Sequence, residues 1–300
     1  SADKQHFFII MIAIPSASKK QQTIKSPFIL SGVGLHSGKK VSIKIEPANI
    51  NNGIKFIRTD LKDDNIIEAL WSNVSSTNLC TTISNNNHVS VSTIEHLMSA
   101  LSGMHIDNVN IYIDGPEVPI MDGSSLLFVN ELEKTGSLQQ EIDRKVIVIK
   151  KEIKVSYNDS FAKIKPNNQF SIDFEIDFES HLINKQACQL QLINGNYKSD
   201  ISSARTFGFE KDVDYLRANG LALGGSLDNA VVVGKNNILN KEGLRFDDEF
   251  VRHKILDSIG DLYLAGSPIQ GYFYGNKSGH YLNNQLLRKL FSDKDNFQIN

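Results

Sequence analysis

The chain of 300 residues is 40% apolar and 22% charged, the composition of a globular protein able to bury one large core or two of ordinary size. A formal net charge of -2 gives no electrostatic reason to expect a nucleic-acid partner. Only Cys80 and Cys188 are present, with no CxxC pair. That argues against a disulfide framework or a cysteine zinc site, fits a reducing, cytoplasmic setting, and leaves histidine and carboxylate to hold any metal.

The chain opens with "FFIIMIAI" (7–14), an apolar run that ends at Pro15 and is too short to span a membrane. Lys4 before it and "SAS" after it give a faint likeness to a signal peptide, but arginine is absent until Arg58, unlike a transit peptide. Residues 1–21 are therefore set apart as an extension expected to be disordered. From about residue 22 the pattern alternates. "KVSIKIEPA" (40–48), "GIKFIRTD" (53–60), "NVNIYIDG" (108–115) and "QFSIDFEIDF" (169–178) have the period-two pattern of half-buried strands, and "NAVVVG" (229–234) reads as a short buried one. Helical patterns run over 93–102, 124–134, 209–219, 248–265 and 284–292. The polar stretch "EKTGSLQQEIDRK" (133–145) is the best linker. The expected fold is α+β, with domains at 22–137 and 146–300 joined through 138–145.

The two halves echo each other. "TIEHLMSALSGMHIDNVNIYIDG" (93–115) and "EFVRHKILDSIGDLYLAGSPIQGYFYG" (249–275) both run histidine-bearing helix, glycine, loop, alternating strand. If the echo is real, each half supplies a histidine helix, and a shared metal lies at the domain boundary.

"FVRHKILDSIGD" (250–261) spaces His253, Asp257 and Asp261 four residues apart, which returns them to one helix face. A histidine and a carboxylate at i,i+4 can converge on a metal ion. The plain alternative is an i,i+4 ion pair on a wetted face. In "VSTIEHLMSAL", Ser92 and Glu95 have capping-box spacing, while Glu95 beside His96 also has the makings of a general base next to a metal ligand. His36, in the glycine-rich "SGVGLHSGKK", lacks the GK[ST] ending and following helix of a phosphate loop, so a role in shaping the turn is favoured. His6, His88, His105 and His181 fall in tail or loop contexts and read as solvated. His280, in "KSGHYLNNQ", precedes a helix that Asn283 or Asn284 is placed to cap.

"STIEHL", "PIMDGSS", "ARTFGF", "GLALGGSLDNA", "LRFDDEFVRHKILDSIGD" and "SGHYLNN" occur in this order, with "SGVGLHSG" and "DGPEVPIMDGSS" around them. Together they resemble the UDP-3-O-acyl-N-acetylglucosamine deacetylases, the zinc enzymes that commit Gram-negative bacteria to lipid A. The resemblance covers about residues 22–295. It implies two related layered α/β sandwiches, a small inserted unit in each, and an active site at their interface.

By the same resemblance, His96, His253 and Asp257 hold Zn2+ with water as the fourth ligand, and Glu95 is the general base. Asp261 orients His280, and His280 and the Thr206 hydroxyl stabilise the oxyanion. Either His280 or protonated Glu95 then protonates the departing amine. Lys254 and Lys277 match basic positions near the substrate's polar portion, and Phe178 an aromatic against the uridine. Phe207, Val213, Leu216, Ala222 and Val232 are candidates for an acyl passage formed by a β-α-β insert, although lone apolar residues there also suit core packing. The partner expected is an acylated UDP-amino sugar, met by a monomer with at most peripheral membrane contact. A non-catalytic nucleotide-sugar binder would not need Glu95, His280 and three ligands together. A different metal-dependent amidase or esterase would turn over substrates lacking UDP or the acyl chain.

Overall fold

A computed structural model describes residues 19–192 and 195–300. The expected N-terminal extension lies outside these residues as far as 18, as does His6. Among the described residues the chain forms six α-helices: α1 Glu95–Gly103, α2 Leu126–Thr135, α3 Asn196–Asp200, α4 Val213–Ala218, α5 Glu249–Tyr263 and α6 His280–Phe291. Strands are named by their residues.

Two five-stranded sheets have the same topology. In the first, Phe28–Val33, Lys40–Pro47, Val109–Ile113, Ile54–Arg58 and Ile66–Glu68 lie side by side in that order. In the second the order is Ile153–Tyr157, Ser160–Lys165, Tyr272–Asn276, Ser171–Asp177, Lys185–Gln191. In each, the only parallel pairing joins the third strand of this order to the fourth. In each, that third strand is entered from a histidine-bearing helix (α1 or α5) and followed by a second helix (α2 or α6). The echo heard in the sequence is therefore a repeated fold.

Each half also carries an insert between its last sheet strand and its histidine helix. In the first it is the small antiparallel sheet Val74–Ser76, Thr82–Ser84, Ser90–Val91. In the second, Phe207–Phe209 and Val231–Val233 pair in parallel with α4 between them, a β-α-β unit.

Period-two alternation buries one face of each sheet, through Ile43, Ile45, Phe56 and Ile111 in the first and Ile164, Ile172, Phe174 and Phe273 in the second. Leu97, Met98 and Leu101 of α1 and Ile255 and Leu256 of α5 join the same core, each worth about 1.5–3 kcal/mol of burial. The two histidine helices pack directly against each other. Gly260 permits this, because a Cβ there would stand 2.0 Å from the Glu95 carbonyl oxygen. The backbones of α1 and α5 therefore touch where α1 carries Glu95 and His96 and α5 carries Asp257 and Asp261.

Four local expectations change. The 133–145 linker is largely extended, with Ser137–Asp143 pairing antiparallel to Lys20–Ile24, so residues 20 and 21 belong to a sheet rather than to the tail. The 209–219 helix shortens to a 3-10 turn at Glu210–Asp212 and α4, because Phe207–Phe209 is drawn into strand pairing and Gly220 at φ +72 ends the element. Helix α6 starts at His280, so Asn283 and Asn284 lie inside it and bond to Asp261 and to the Trp71 carbonyl instead of capping. The capping box does not form: Ser92 donates to the Pro116 carbonyl, and Glu95 turns inward to another partner.

Candidate active site

The contact between α1 and α5 gathers buried polar groups that a core would not otherwise tolerate. Glu95 and His96 open α1, and His253, Asp257 and Asp261 climb one face of α5; none is more than 6% exposed. His96 Nε2 and His253 Nε2 lie 3.4 and 3.3 Å from the same oxygen, Asp257 Oδ1. The imidazoles meet edge-on, with centroids 4.9 Å apart. The wetted ion pair is thus set aside: this face of α5 is buried.

The donor set fits a metal cation. His253 Nδ1 lies 3.0 Å from the Ala204 carbonyl oxygen, which can only accept. The ring proton is therefore on Nδ1, and the lone pair on Nε2 faces the cluster. Burial, partly offset by Asp257, pushes the His253 pKa down to about 4, so the ring is neutral at pH 7 and able to act as a ligand. Burial raises the Asp257 pKa, but the His253 and His96 rings beside it outweigh burial and hold the carboxyl well below the usual carboxylate range. Asp257 Oδ1 is nevertheless buried without a hydrogen-bond partner. A buried carboxylate oxygen without a hydrogen-bond partner beside two imidazole nitrogens has the donor chemistry of a metal site.

Across the site, His280 Nδ1 donates to Asp261 Oδ2 at 2.7 Å, and His280 Nε2 stands 3.6 Å from Glu95 Oε1. Burial works against charge on His280, but Asp261 and Glu95 overcome it and raise the pKa to about 10. The ring is a cation at neutral pH. Burial also raises the Glu95 pKa, against the pull of His280 and His96, which suits a base that must hold a proton briefly. The pairing of Asp261 with His280 expected from the resemblance is present as a direct hydrogen bond.

The quoted motifs hold this cluster together. Ser125 donates to the His96 carbonyl, and Gly123 accepts the Thr206 N–H at 2.7 Å. Gly123 has φ +86, and a Cβ there would collide with the Asn229 carbonyl. Buried Arg205 donates through Nε to Glu249 Oε1 at 2.8 Å, clamping the 202–209 loop to the start of α5. That clamp fixes both the Ala204 carbonyl behind His253 and the neighbouring Thr206. The glycine loop at His36 is shaped by Glu117, whose carboxylate accepts the His36 and Ser37 N–H groups at 2.8 Å each. His36 thus sits in a structured turn, with its Nε2 buried and unpartnered.

The remaining candidates divide. Lys254 Nζ lies near Gly279, beside His280, since a Cβ on that glycine would stand 3.6 Å from it. Lys277 is already shared between Asp159 at 3.1 Å and Asp177 at 3.4 Å, so its charge is not a free one. Phe178 packs at 5.7 Å on Phe207 and 5.8 Å on Phe209, while Phe207 reaches Phe250 at 4.9 Å and the His253 ring at 6.4 Å. An aromatic wall therefore runs from the His253 ring to the insert. Val213, Leu216, Ala222 and Val232 are half-buried in that insert. Ala222 has φ +52, and its loop pairs with the His36 loop through Leu223 N–H and Gly224 N–H. His88 and His181 are exposed as expected, but His105 is half-buried, with Nδ1 3.3 Å from Arg144.

A family model described as UDP-3-O-acyl N-acetylglycosamine deacetylase matches residues 21–292. The UDP-3-O-acyl-N-acetylglucosamine deacetylase of Syntrophus aciditrophicus (strain SB) is 49% identical over 277 residues, 92% of this chain and 88% of the relative. That of Shewanella halifaxensis (strain HAW-EB4) is 48% identical over 281 residues, 93% of this chain and 92% of the relative.

Proposed function

The chain belongs to the UDP-3-O-acyl-N-acetylglucosamine deacetylase family, and from that premise we propose that the buried cluster on α1, α5 and α6 is a zinc-dependent amide-hydrolysing centre. The protein is a hydrolase that removes the N-acetyl group of UDP-3-O-acyl-N-acetylglucosamine in lipid A biosynthesis. The observation that carries the site assignment is the convergence of two imidazole nitrogens on one unpartnered, ionised oxygen of Asp257.

His96, His253 and Asp257 would hold zinc, which when bound acidifies water and polarises an acetyl carbonyl. Glu95 accepts the proton that water sheds as its oxygen attacks the acetyl carbon. His280 keeps its Nδ1 proton on Asp261 and presents Nε2–H to the charge developing on the carbonyl oxygen, with the Thr206 hydroxyl as second donor. When the C–N bond breaks, both Glu95 and His280 carry a proton, and one passes to the departing nitrogen. Acetate and a free amine result.

For the substrate's polar portion we assign Lys254 and, once released from its two carboxylates, Lys277; Phe178 takes the uridine. The acyl chain follows the aromatic wall from Phe207 past Val213, Leu216, Ala222 and Val232. The repeated topology supports reading 22–137 and 146–300 as the two domains. Among the described residues no helix is long and apolar enough to cross a membrane. The accompanying reading is a cytoplasmic monomer that meets the membrane only through its acylated substrate.

The test pairs metal analysis with turnover of UDP-3-O-acyl-N-acetylglucosamine. His96→Ala, His253→Ala and Asp257→Ala should each lose bound zinc, whereas Glu95→Gln should keep zinc and lose turnover. Wild-type zinc stoichiometry in all three ligand variants would sink the assignment. Equal turnover of substrates lacking UDP or the acyl chain would point to a broader amidase.

A further inference from the structure

Thr81 is absent from every motif quoted above, yet all of its polar atoms are committed around the site. It is 2% exposed and directly precedes the small insert strand Thr82–Ser84 of the first half. Its N–H donates to Glu95 Oε2 at 3.1 Å, and its carbonyl accepts the Ile94 N–H at 3.4 Å. Its hydroxyl donates to Asp261 Oδ1 at 2.6 Å. One residue thus holds the base of α1 through its backbone and the carboxylate of α5 through its side chain.

We propose that Thr81 is the positioning residue that couples the base Glu95 to the Asp261–His280 pair, a proposal that rests on the catalytic roles given above. The geometry of Asp261 carries it. Oδ2 already accepts from His280 Nδ1 at 2.7 Å and from Asn283 Nδ2 at 2.9 Å, while among the described residues the one hydrogen bond from another side chain to Oδ1 comes from Thr81. With Oδ1 pinned, the carboxylate plane is fixed and Oδ2 stays aimed at His280. With Oδ1 released, the carboxylate can rotate about Cβ–Cγ and the imidazole loses its orientation. The same residue fixes Glu95 Oε2, leaving Oε1 to face His280 Nε2 at 3.6 Å. The spacing between base and acid is therefore set by a threonine from the first-half insert. Its donors are neutral, so they hold two buried carboxylates without adding a cation that would compete for Asp257.

Thr81→Val removes the hydroxyl while keeping shape and backbone N–H; Thr81→Ser keeps the hydroxyl. In zinc-loaded protein, Thr81→Val should lower kcat by roughly ten- to a hundredfold, with KM and bound zinc unchanged. Thr81→Ser should recover to within about threefold of wild type, and adding Thr81→Val to Asp261→Asn should cost little beyond Asp261→Asn alone. A readout independent of turnover is the proton resonance of the His280 Nδ1–H···Asp261 hydrogen bond. It should move in Thr81→Val and stay in place in Thr81→Ser. Wild-type kcat in Thr81→Val, or the same loss in both variants, would overturn the proposal. If the wild type does not deacetylate the substrate, the functional reading fails, and the resonance alone decides whether Thr81 positions the pair: a shift confined to Thr81→Val supports it and an unmoved signal refutes it.

Discussion

At the residue scale, the site separates two kinds of buried histidine by their neighbours. His253 faces a backbone carbonyl and is pushed down to about 4 by burial, so it is neutral at pH 7, as the proposed ligand role requires. His280 faces Asp261 and is raised to about 10 against its burial, so it serves as a cation. Because the His280 pKa is raised above its ordinary 6.5, the stability its pairing contributes is fully present below about 6.5 and is lost as pH rises toward about 10. Activity that needs the protonated ring fails in the same direction, and a bound dication beside it draws that limb below 10. Asp261→Asn removes a group that holds the proton and leaves burial unopposed by it. The basic limb of the kcat profile should therefore move to lower pH while zinc is retained. A pH series on wild type and variant checks this, and an unmoved limb would count against the pairing.

At the element scale, the meeting of α1 and α5 depends on a missing methyl. Gly260→Ala would place its Cβ against the Glu95 carbonyl, a steric conflict with the partner helix's backbone that no side-chain rotation relieves. Overpacking of this kind costs about 1–3 kcal/mol, so the denaturation midpoint should fall, and kcat should fall with it as Glu95 is displaced. Equilibrium unfolding and turnover of the same preparation test both. These helices were also what the sequence revealed best: the four-residue spacing of His253, Asp257 and Asp261 follows from helix periodicity alone. The misread capping box shows the limit. Ser92 and Glu95 have the right local spacing, but Glu95 takes its hydrogen bond from Thr81, fourteen residues away in sequence. Thr81, Glu117 and the Ala204 carbonyl act through tertiary contacts; Glu117 and Ala204 lie inside quoted motifs, but nothing in the neighbourhood of Thr81 marks it. Arg205 and Glu249 lie inside quoted motifs, yet only their burial together reveals a clamp.

At the scale of the whole molecule, the repeat supplies two similar frames and the inserts make them different. The first-half insert carries Thr81 to Glu95 and Asp261. The second carries apolar residues toward the end of the aromatic wall and docks on the His36 loop through its 222–224 turn. If that insert binds the acyl chain, each buried methylene adds about 0.8 kcal/mol, and removing the chain should lower kcat/KM by several orders of magnitude. Leu216→Asp should reproduce the loss for the acylated substrate and barely alter the slower turnover of an unacylated UDP-sugar, because nothing at the zinc ligands has moved. Ala222 is a poorer probe, since a larger side chain at φ +52 would add backbone strain of its own. Equal wild-type kinetics on both substrates would remove the passage.

The proposed ligands are divided unequally, one from α1 and two from α5, and that division has a thermodynamic consequence. An ion bound by His96 on one side and by His253 and Asp257 on the other acts as a rivet across the joint between the halves. Ligand binding stabilises only what it holds together, by about 2.7 kcal/mol when free ligand stands at a hundred times Kd. Chelation should therefore do more than stop turnover. Calorimetry of the zinc-loaded protein should show one cooperative transition, and the stripped protein should melt earlier, with the endotherm broadening as the halves begin to part company. Restoring zinc to the stripped His96→Ala variant should fail to sharpen it, because one side of the rivet has nothing left to grip.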